Sequence, residues 1–255
     1  MFSPETGYAD LAAAGQALSP LDGRYHQHTQ ELTQYLSEAA LNRTRIYVEI
    51  EWMIELLRRG VIAHAPLLSD AEVDYLRALP REFNADSIAE LAQIEAETRH
   101  DVKAVEYYID NRLEEARSLL GPDTILPQLR PLVHIFAPSE DINNLAHALN
   151  IQAAVRQVWL PRARGLLARL LDCAEAGAGI PMLARTHGQP ATPVTIGKEL
   201  AVFVYRLSRQ ISRIEDTEYL GKMNGATGTW AAHRVALPTV PWPLLTKDWD
   251  CRGIR

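Results

Sequence analysis

Apolar residues recur every three or four positions along most of the chain, which is the spacing of one face of a helix. Leu32, Leu36 and Ile46 belong to the first such run, which predicts a helix from Thr29 to Arg59 with Gly60 as its stop. The same reading predicts helices over residues 70–79, 87–95, 100–120, 139–176 and 194–219.

Several residues mark where these helices begin, bend or end. Asp70 is a predicted cap, and Pro80 ends the helix that follows it. Ser139 is a predicted N-cap for the longest segment, Pro161 is expected to kink that segment, and Gly177 is its predicted stop.

Strand-like alternation is weak, with candidates only near Ile180–Leu183 and after Val235, and the pattern therefore predicts an all-α fold. Residues 1–26 are predicted to be irregular. A composition shift at Pro127–His134 predicts a small helical domain over 1–128 and the start of a long-helix bundle over 129–255. Long helices with few short-range partners predict a bundle completed by other subunits.

The composition narrows the classes of function. The chain has 255 residues, 47% of them hydrophobic, and a net charge of −6, which argues against a general nucleic-acid binder. A phosphorylated substrate would need a local cluster of cations. No window approaches the ~20 apolar residues of a membrane span, and the first residues do not resemble a secretory signal, so we expect a cytoplasmic protein that does not bind membranes.

Cys173 and Cys251 fit a reducing compartment and lack the spacing of metal ligands. Cys173 lies in an apolar helical run, which predicts a small core residue.

The segment RTHGQPATPVTIGKE, from Arg185 to Glu199, carries the strongest chemical signal. It sets an imidazole between two neutral hydrogen-bonding side chains on a turn, and a general acid needs such an arrangement. The alternative is an ordinary surface histidine in a loop.

RTHGQPATP followed by TIGKE resembles adenylosuccinate lyase, of the fumarase/aspartase superfamily, and its bacterial long-form branch in particular. Four other stretches agree in the same order: SPLDGRY, RHDVKAVEYY, SEDINNLAHAL and GKMNGATG. The resemblance implies an all-α homotetramer whose active sites form where three subunits meet. It also implies elimination of fumarate from adenylosuccinate to give AMP, and from the succinyl-aminoimidazole-carboxamide ribotide, without a metal or organic cofactor.

The resemblance assigns roles to residues in these strings. His187 matches the general acid, and Thr186 and Gln189 would orient it or the substrate carboxylate. His100 matches a second active-site histidine, although a histidine at a helix start is the simpler interpretation, and Asp101 is either a substrate contact or a helix-start charge. Substrate contacts are also implied for Arg24 and Tyr25 at the phosphate, and for Arg99, Lys198 and Asn224. Glu199 is expected to pair with a nearby cation.

His134 matches a third active-site histidine, but the string HIFAPSED departs from the family's pattern. Phe136 replaces a small residue, and Pro138 replaces the threonine of a substrate-binding Thr-Ser pair. Proline has neither a hydroxyl nor a backbone N–H. Ser139 remains, either to bind substrate or to cap its helix.

The family's catalytic serine loop, approximately GSSxMPxKxNP, does not occur in the 255 residues. The chain is therefore expected to be the N-terminal half of a longer enzyme. The alternative is an inactive fragment or homologue that at most binds nucleotide or full-length subunits. Argininosuccinate lyase, another member of the superfamily, is disfavoured by RTHGQPATP and SPLDGRY.

Overall fold

The computed structural model describes residues 19–246. Residues 1–18, which make up most of the segment predicted to be irregular, and Cys251 lie outside this range. The helices in chain order are α1 (His26–Thr29), α2 (Thr33–Leu36), α3 (Glu38–Arg58), α4 (Asp70–Arg81), α5 (Ala85–Thr98), α6 (Asp101–Leu120), α7 (Ser139–Ala154), α8 (Leu160–Ala176), α9 (Ile196–Glu215), α10 (Ala231–Ala236) and α11 (Trp242–Leu245). Short 3₁₀ helices lie at Gln30–Leu32 and Leu126–Leu132. The predicted helical fold is confirmed.

The predicted first helix is interrupted at Ser37. This residue is extended, with φ −78° and ψ 162°, and its hydroxyl accepts the N–H of Ala40 at 3.1 Å. A capping serine satisfies one of the free N–H groups at a helix start. The prediction of one helix over 29–59 was wrong because short helical turns precede Ser37 and the long helix, α3, begins after it.

Helix α4 begins at Asp70, as predicted, but its cap is Ser69 rather than Asp70. Ser69 is the N-cap, and its hydroxyl accepts the N–H of Glu72 while the Glu72 carboxylate accepts the N–H of Ser69, which forms a capping box. Pro80 does not stop the helix. It lies buried in the last turn, and the helix continues to Arg81.

The predicted kink near Pro161 takes the form of a π-helical segment, Val155–Trp159, between α7 and α8. Proline has no N–H to donate to the carbonyl four residues earlier, which favours such a local change. Gly177 is the C-cap of α8, as predicted. Ser139 is the first residue of α7 rather than its N-cap, because Pro138 takes that position without a side-chain bond.

Helix α3 packs into two apolar clusters. One face joins α4, α5 and α6 through residues that include Ile46, Ile50 and Ile109. The other face carries Trp52, which is fully buried and whose indole N–H donates to the Ile135 carbonyl at 2.9 Å. Helix α3 therefore positions side chains toward both clusters. The division into domains at residue 128 stays a prediction.

Helices α8 and α9 pack against each other and are connected by an exposed antiparallel hairpin of β1 (Pro181–Thr186) and β2 (Gln189–Thr195). We call α8, the hairpin and α9 the arm. The strand candidate near Ile180–Leu183 is thus confirmed. The candidate after Val235 was wrong, because helices α10 and α11 occupy that region.

Cys173 is exposed, which corrects the prediction of a core residue. It lies on a face of α8 that the packing against α9 leaves open, and Leu160 and Ala174 are the buried residues of that helix. Within residues 19–246, no helix is long and apolar enough to cross a membrane.

Candidate active site

His187 lies at the tip of the hairpin, in a two-residue turn. Thr186 pairs with Gln189 across the ladder, so His187 and Gly188 form the turn. Both have positive φ, 49° and 77°, as the type I′ turn of a tight hairpin requires. A Cβ on Gly188 would meet nothing within 4 Å, so the backbone angle alone favours glycine there. The turn presents the imidazole to solvent on a defined backbone.

Lys198 follows the hairpin in the first turn of α9. Its N–H donates to the hydroxyl of Thr195, the N-cap, at 3.1 Å. Its ammonium pairs with Glu199 at 2.8 Å, which agrees with the expectation that Glu199 binds a nearby cation. Lys198 is therefore attached to the same rigid arm as His187.

His100 is the N-cap of α6. Its Nδ1 accepts the N–H of Lys103 at 3.2 Å, so the neutral ring carries its proton on Nε2. The preceding Arg99 has a left-handed backbone, with φ 53°, and ends α5. Both side chains are exposed. The simpler interpretation of His100 as a helix-start residue is thus confirmed as a structural role, and its chemical role stays a prediction.

A buried arginine that the sequence interpretation missed positions Asp101. The guanidinium of Arg45 donates to Asp101 at 2.6 Å, to Asn42 at 2.8 Å and to Asn143 at 2.9 Å. Burial raises the pKa of Asp101, but the N–H of Val102 and the charge of Arg45 outweigh burial and lower it. Asp101 is therefore held as a carboxylate beside His100.

His134 contacts two carboxylates. Its Nδ1 lies 2.5 Å from a carboxylate oxygen of buried Glu49, and its Nε2 lies 3.8 Å from Glu106. Burial lowers the pKa of His134, but the hydrogen bond and charge of Glu49, with the charge of Glu106, raise it overall. Burial also raises the pKa of Glu49, against the hydrogen bond to His134. The imidazole and the buried carboxylate are therefore joined by one short hydrogen bond.

The loop around His134 is strained. His134 and Phe136 both have positive φ, 60° and 66°, which is uncommon for bulky side chains and occurs preferentially at functional sites. The Phe136 ring lies 5.5 Å from the ring of buried His233 and 5.3 Å from that of Trp242. Phe136, which replaces a small residue of the family's pattern, therefore packs against the core. Ser139 is half-buried at the start of α7.

Helix α7 also anchors the loop that contains Asn224. Buried Asp141 accepts hydrogen bonds from the Lys222 ammonium and, at 2.7 Å, from the N–H of Gly225. Asn144 accepts the N–H of Lys222 at 2.7 Å. Asn224 is half-buried, and its Oδ1 has no hydrogen-bond partner within residues 19–246. The loop thus holds an amide oxygen that is free to accept a hydrogen bond.

These contacts bring some predicted residues together and leave others apart. Arg45 and Glu49 are one turn apart on α3, so the groups that they hold, Asp101 and His134, lie on one side of that helix. In the part of the chain that the structure describes, no hydrogen bond or ion pair connects these groups to the remaining predicted residues, which are Thr186, His187, Gln189, Lys198, Arg24 and Tyr25. Arg24 stacks on exposed Tyr25, 5.3 Å from its ring centre.

Asn42, Arg45 and Glu49 carried a signal that was missed. They are spaced by three and four residues, so they share a helix face, and all three are buried. Polar residues at buried helical positions usually belong to a hydrogen-bond network.

Within residues 19–246, no group of three or more His, Cys, Asp or Glu side chains is arranged to hold a metal ion.

The fold and the sequence motifs that carry the candidate site residues define a class of enzyme. The profile of the family described as Lyase matches residues 23–242, and the chain belongs to this family. Solved structures at 18–20% identity show the same fold. Fumarate lyase from Mesorhizobium sp. BNC1 has a TM-score of 0.64 and 20% identity, over 87% of this chain and 47% of that one. A β-carboxy-cis,cis-muconate cycloisomerase from Acinetobacter calcoaceticus has a TM-score of 0.61 and 18% identity, over 86% and 47%.

Within the family, the resemblance to adenylosuccinate lyase is confirmed. Adenylosuccinate lyase of Haemophilus influenzae is 39% identical over 233 residues, which cover 91% of this chain and 50% of that protein. The Escherichia coli K12 protein of the same name is also 39% identical, over 236 residues and the same shares. The chain spans about half the length of these relatives.

Proposed function

We propose that the chain supplies acid and substrate-binding groups for the elimination of fumarate from adenylosuccinate, giving AMP. The same groups would act on the succinyl-aminoimidazole-carboxamide ribotide. The observation that carries the proposal is His187, held at the tip of a two-residue turn between Thr186 and Gln189. A general acid must be aimed at the departing nitrogen, and this turn sets its direction before substrate arrives.

The other predicted site residues suit substrate binding rather than proton transfer. Elimination places negative charge on the substrate carboxylate, and neutral or positive donors stabilise that charge. Thr186, Gln189 and Lys198 are the donors of the arm. We assign the phosphate to the exposed cations Arg24 and Arg99, with Tyr25 as a hydroxyl donor, because guanidinium groups bind phosphate through two parallel hydrogen bonds.

We further propose that a complete site needs more than one copy of the chain. His187 lies on the arm, whereas Asp101 and His134 are joined to α3 through Arg45 and Glu49. An oligomer in which the arm of one copy reaches the α3 side of another would bring the two sets together. Apolar side chains exposed on the arm, such as Leu166 and Phe203, support this arrangement.

The test is fumarate release from adenylosuccinate by the purified 255-residue chain. Replacing His187 by Ala is expected to slow turnover by about 10²–10⁴-fold. His147→Ala is the matched control, because His147 is exposed on α7 and belongs to none of the groups above. Equal, measurable rates of fumarate release in both variants would refute the role of His187.

A complementation assay tests the shared site. His187→Ala and Asp101→Asn chains, each inactive alone, are expected to recover part of the activity after mixing, because some sites then receive intact groups from both copies. If both variants are inactive and no activity returns on mixing under conditions that exchange subunits, the proposal of a site shared between copies is wrong.

A second function is favoured by Pro138, which lacks the hydroxyl and the backbone N–H of the threonine in the family's pattern. In this alternative the chain binds nucleotide without turning it over. Saturable AMP binding that Arg24→Gln weakens, without fumarate release, would support the alternative over catalysis.

A further inference from the structure

A cleft of about 620 Å³ lies between α3 and α4, away from the candidate active site. Its lining includes Arg43, Tyr47, Glu51, Arg77 and Arg81. These α3 residues face a different direction from Arg45 and Glu49, which point into the buried networks. The cleft therefore offers a separate concave surface that the proposed function does not use.

The cleft holds more positive charge than its own carboxylate neutralises. Arg77 donates two bonds to Glu51, at 2.7 and 2.8 Å. Arg43 donates to the carbonyl of Gln34, and Arg81 donates to the carbonyl of Arg77 at 2.9 Å. Neither Arg43 nor Arg81 has an ion pair within residues 19–246. Two guanidinium charges thus remain uncompensated in a chain whose net charge is −6.

The helix dipole explains only one of these charges. Arg81 lies in the last turn of α4, where a cation is favourable. Arg43 lies in the second turn of α3, beyond the first turn in which the dipole acts, so the dipole does not explain a cation there. An anion in the cleft would explain the position of Arg43.

Tyr47 adds a neutral donor to the same cleft. Its hydroxyl makes no hydrogen bond to another group within the described range, 19–246. Burial, with the charge of Glu51, raises the pKa of Tyr47 to about 12. The phenol therefore stays protonated and can donate a hydrogen bond.

A second cleft of about 340 Å³ shares Arg43, Thr44 and Tyr47 and extends to Arg156. Arg156 lies in the π-helical segment and has no ion pair among residues 19–246. Segments of π helix occur frequently at functional sites. The two clefts are adjacent, because the same three side chains line both, and Arg156 lies at the second.

We propose that the cleft between α3 and α4 binds a dianionic phosphate group, held between Arg43 and Arg81 with the Tyr47 hydroxyl as a further donor. A guanidinium binds a phosphate through parallel, charge-assisted hydrogen bonds. The ligand class is a small phosphorylated molecule, either an inorganic polyphosphate or the phosphate chain of a nucleotide.

Equilibrium dialysis of radiolabelled pyrophosphate against the full 255-residue chain tests the proposal, because it counts bound anion whatever the oligomeric state. The R43Q/R81Q double variant is expected to weaken binding at one site by about tenfold or more. Arg117→Gln is the matched control, since Arg117 also lies exposed in the last turn of a helix without an ion pair in the described range. It is expected to bind like the unmodified chain.

Two further variants keep the result interpretable. Tyr47→Phe keeps the ring and is expected to weaken binding by about threefold or more. Arg24→Gln reports separately on the candidate active site. Unchanged affinity and stoichiometry in both the double variant and Tyr47→Phe would overturn the proposal, as would binding lost only in Arg24→Gln. Tighter binding of ADP than of pyrophosphate would identify a nucleotide as the source of the phosphate, and equal binding a free polyphosphate.

Discussion

The base of the arm depends on a glycine that allows two helices to touch. Gly197, near the start of α9, donates its N–H to the carbonyl of Gly177 at 2.9 Å. A Cβ on Gly197 would lie 2.3 Å from the carbonyl oxygen of Ala174 and 2.6 Å from the backbone of Ala178. The first distance is 1.1 Å shorter than the 3.4 Å at which ordinary contact begins. The obstructing atoms belong to the backbone, so α8 and α9 would have to separate.

Gly197→Ala is therefore expected to destabilise the chain. Overpacking costs about 1–3 kcal/mol, and losing the hydrogen bond to Gly177 adds about 1 kcal/mol. Alanine returns up to about 1 kcal/mol through its helix propensity. The net expected loss is about 1–3 kcal/mol, measured as a lower urea midpoint by circular dichroism, with faster hydrogen exchange in α8 and α9.

Gly165→Ala is the control, because it makes the same chemical change in the middle of α8. A Cβ on Gly165 meets nothing within 4 Å, so alanine is expected to stabilise the chain by about 0.5–1 kcal/mol. If Gly197→Ala is as stable as Gly165→Ala, close packing of α8 on α9 does not hold the arm, and the reasoning is refuted.

Three other results are expected. Arg45→Met should cost about 3 kcal/mol in urea unfolding, because Asn42, Asn143 and Asp101 lose hydrogen bonds to a buried guanidinium, and a loss below about 1 kcal/mol would contradict that role. The pKa of His134 is raised above 6.5, so its stabilisation is complete below pH 6.5 and is lost as pH rises through the folded value. His134→Gln should flatten this decline in stability with pH, and an unchanged pH profile would argue against the pair with Glu49. Phe203→Glu, at a side chain 58% exposed on the arm, should reduce self-association in light scattering, and a monodisperse monomer before substitution would show that the arm does not associate.

The sequence predicted the helices well because their apolar spacing reflects burial along the whole chain. It failed where one side chain decides a boundary. Ser37 and Ser69 are caps, yet a serine has the same spacing inside a helix as at its start, so periodicity cannot distinguish the two cases. The backbone angles and hydrogen bonds of Ser37 and Ser69 identified them as caps.

The candidate site shows a similar limit. The chemical character of His100, His134 and His187 was visible in the strings that carry them. The networks that hold the first two were not, because Arg45 and Glu49 lie about 55 and 85 residues from the groups that they contact. No local pattern encodes such distances. The sequence also did not show that the arm and the α3 side make no polar contact, because both regions carry motifs in the family's order.

The hairpin turn makes the aim of His187 depend on how many residues precede it. Side chains alternate between the two faces of a strand, so one added residue sends every later side chain to the opposite face. The ladder already has one irregularity, between Leu183 and Arg185. An insertion just before Arg185 would keep RTHGQ intact and yet turn the imidazole away from its present side. In a library of insertions and substitutions, we expect such length changes to be as damaging as the loss of the histidine itself, although a motif search would still accept them.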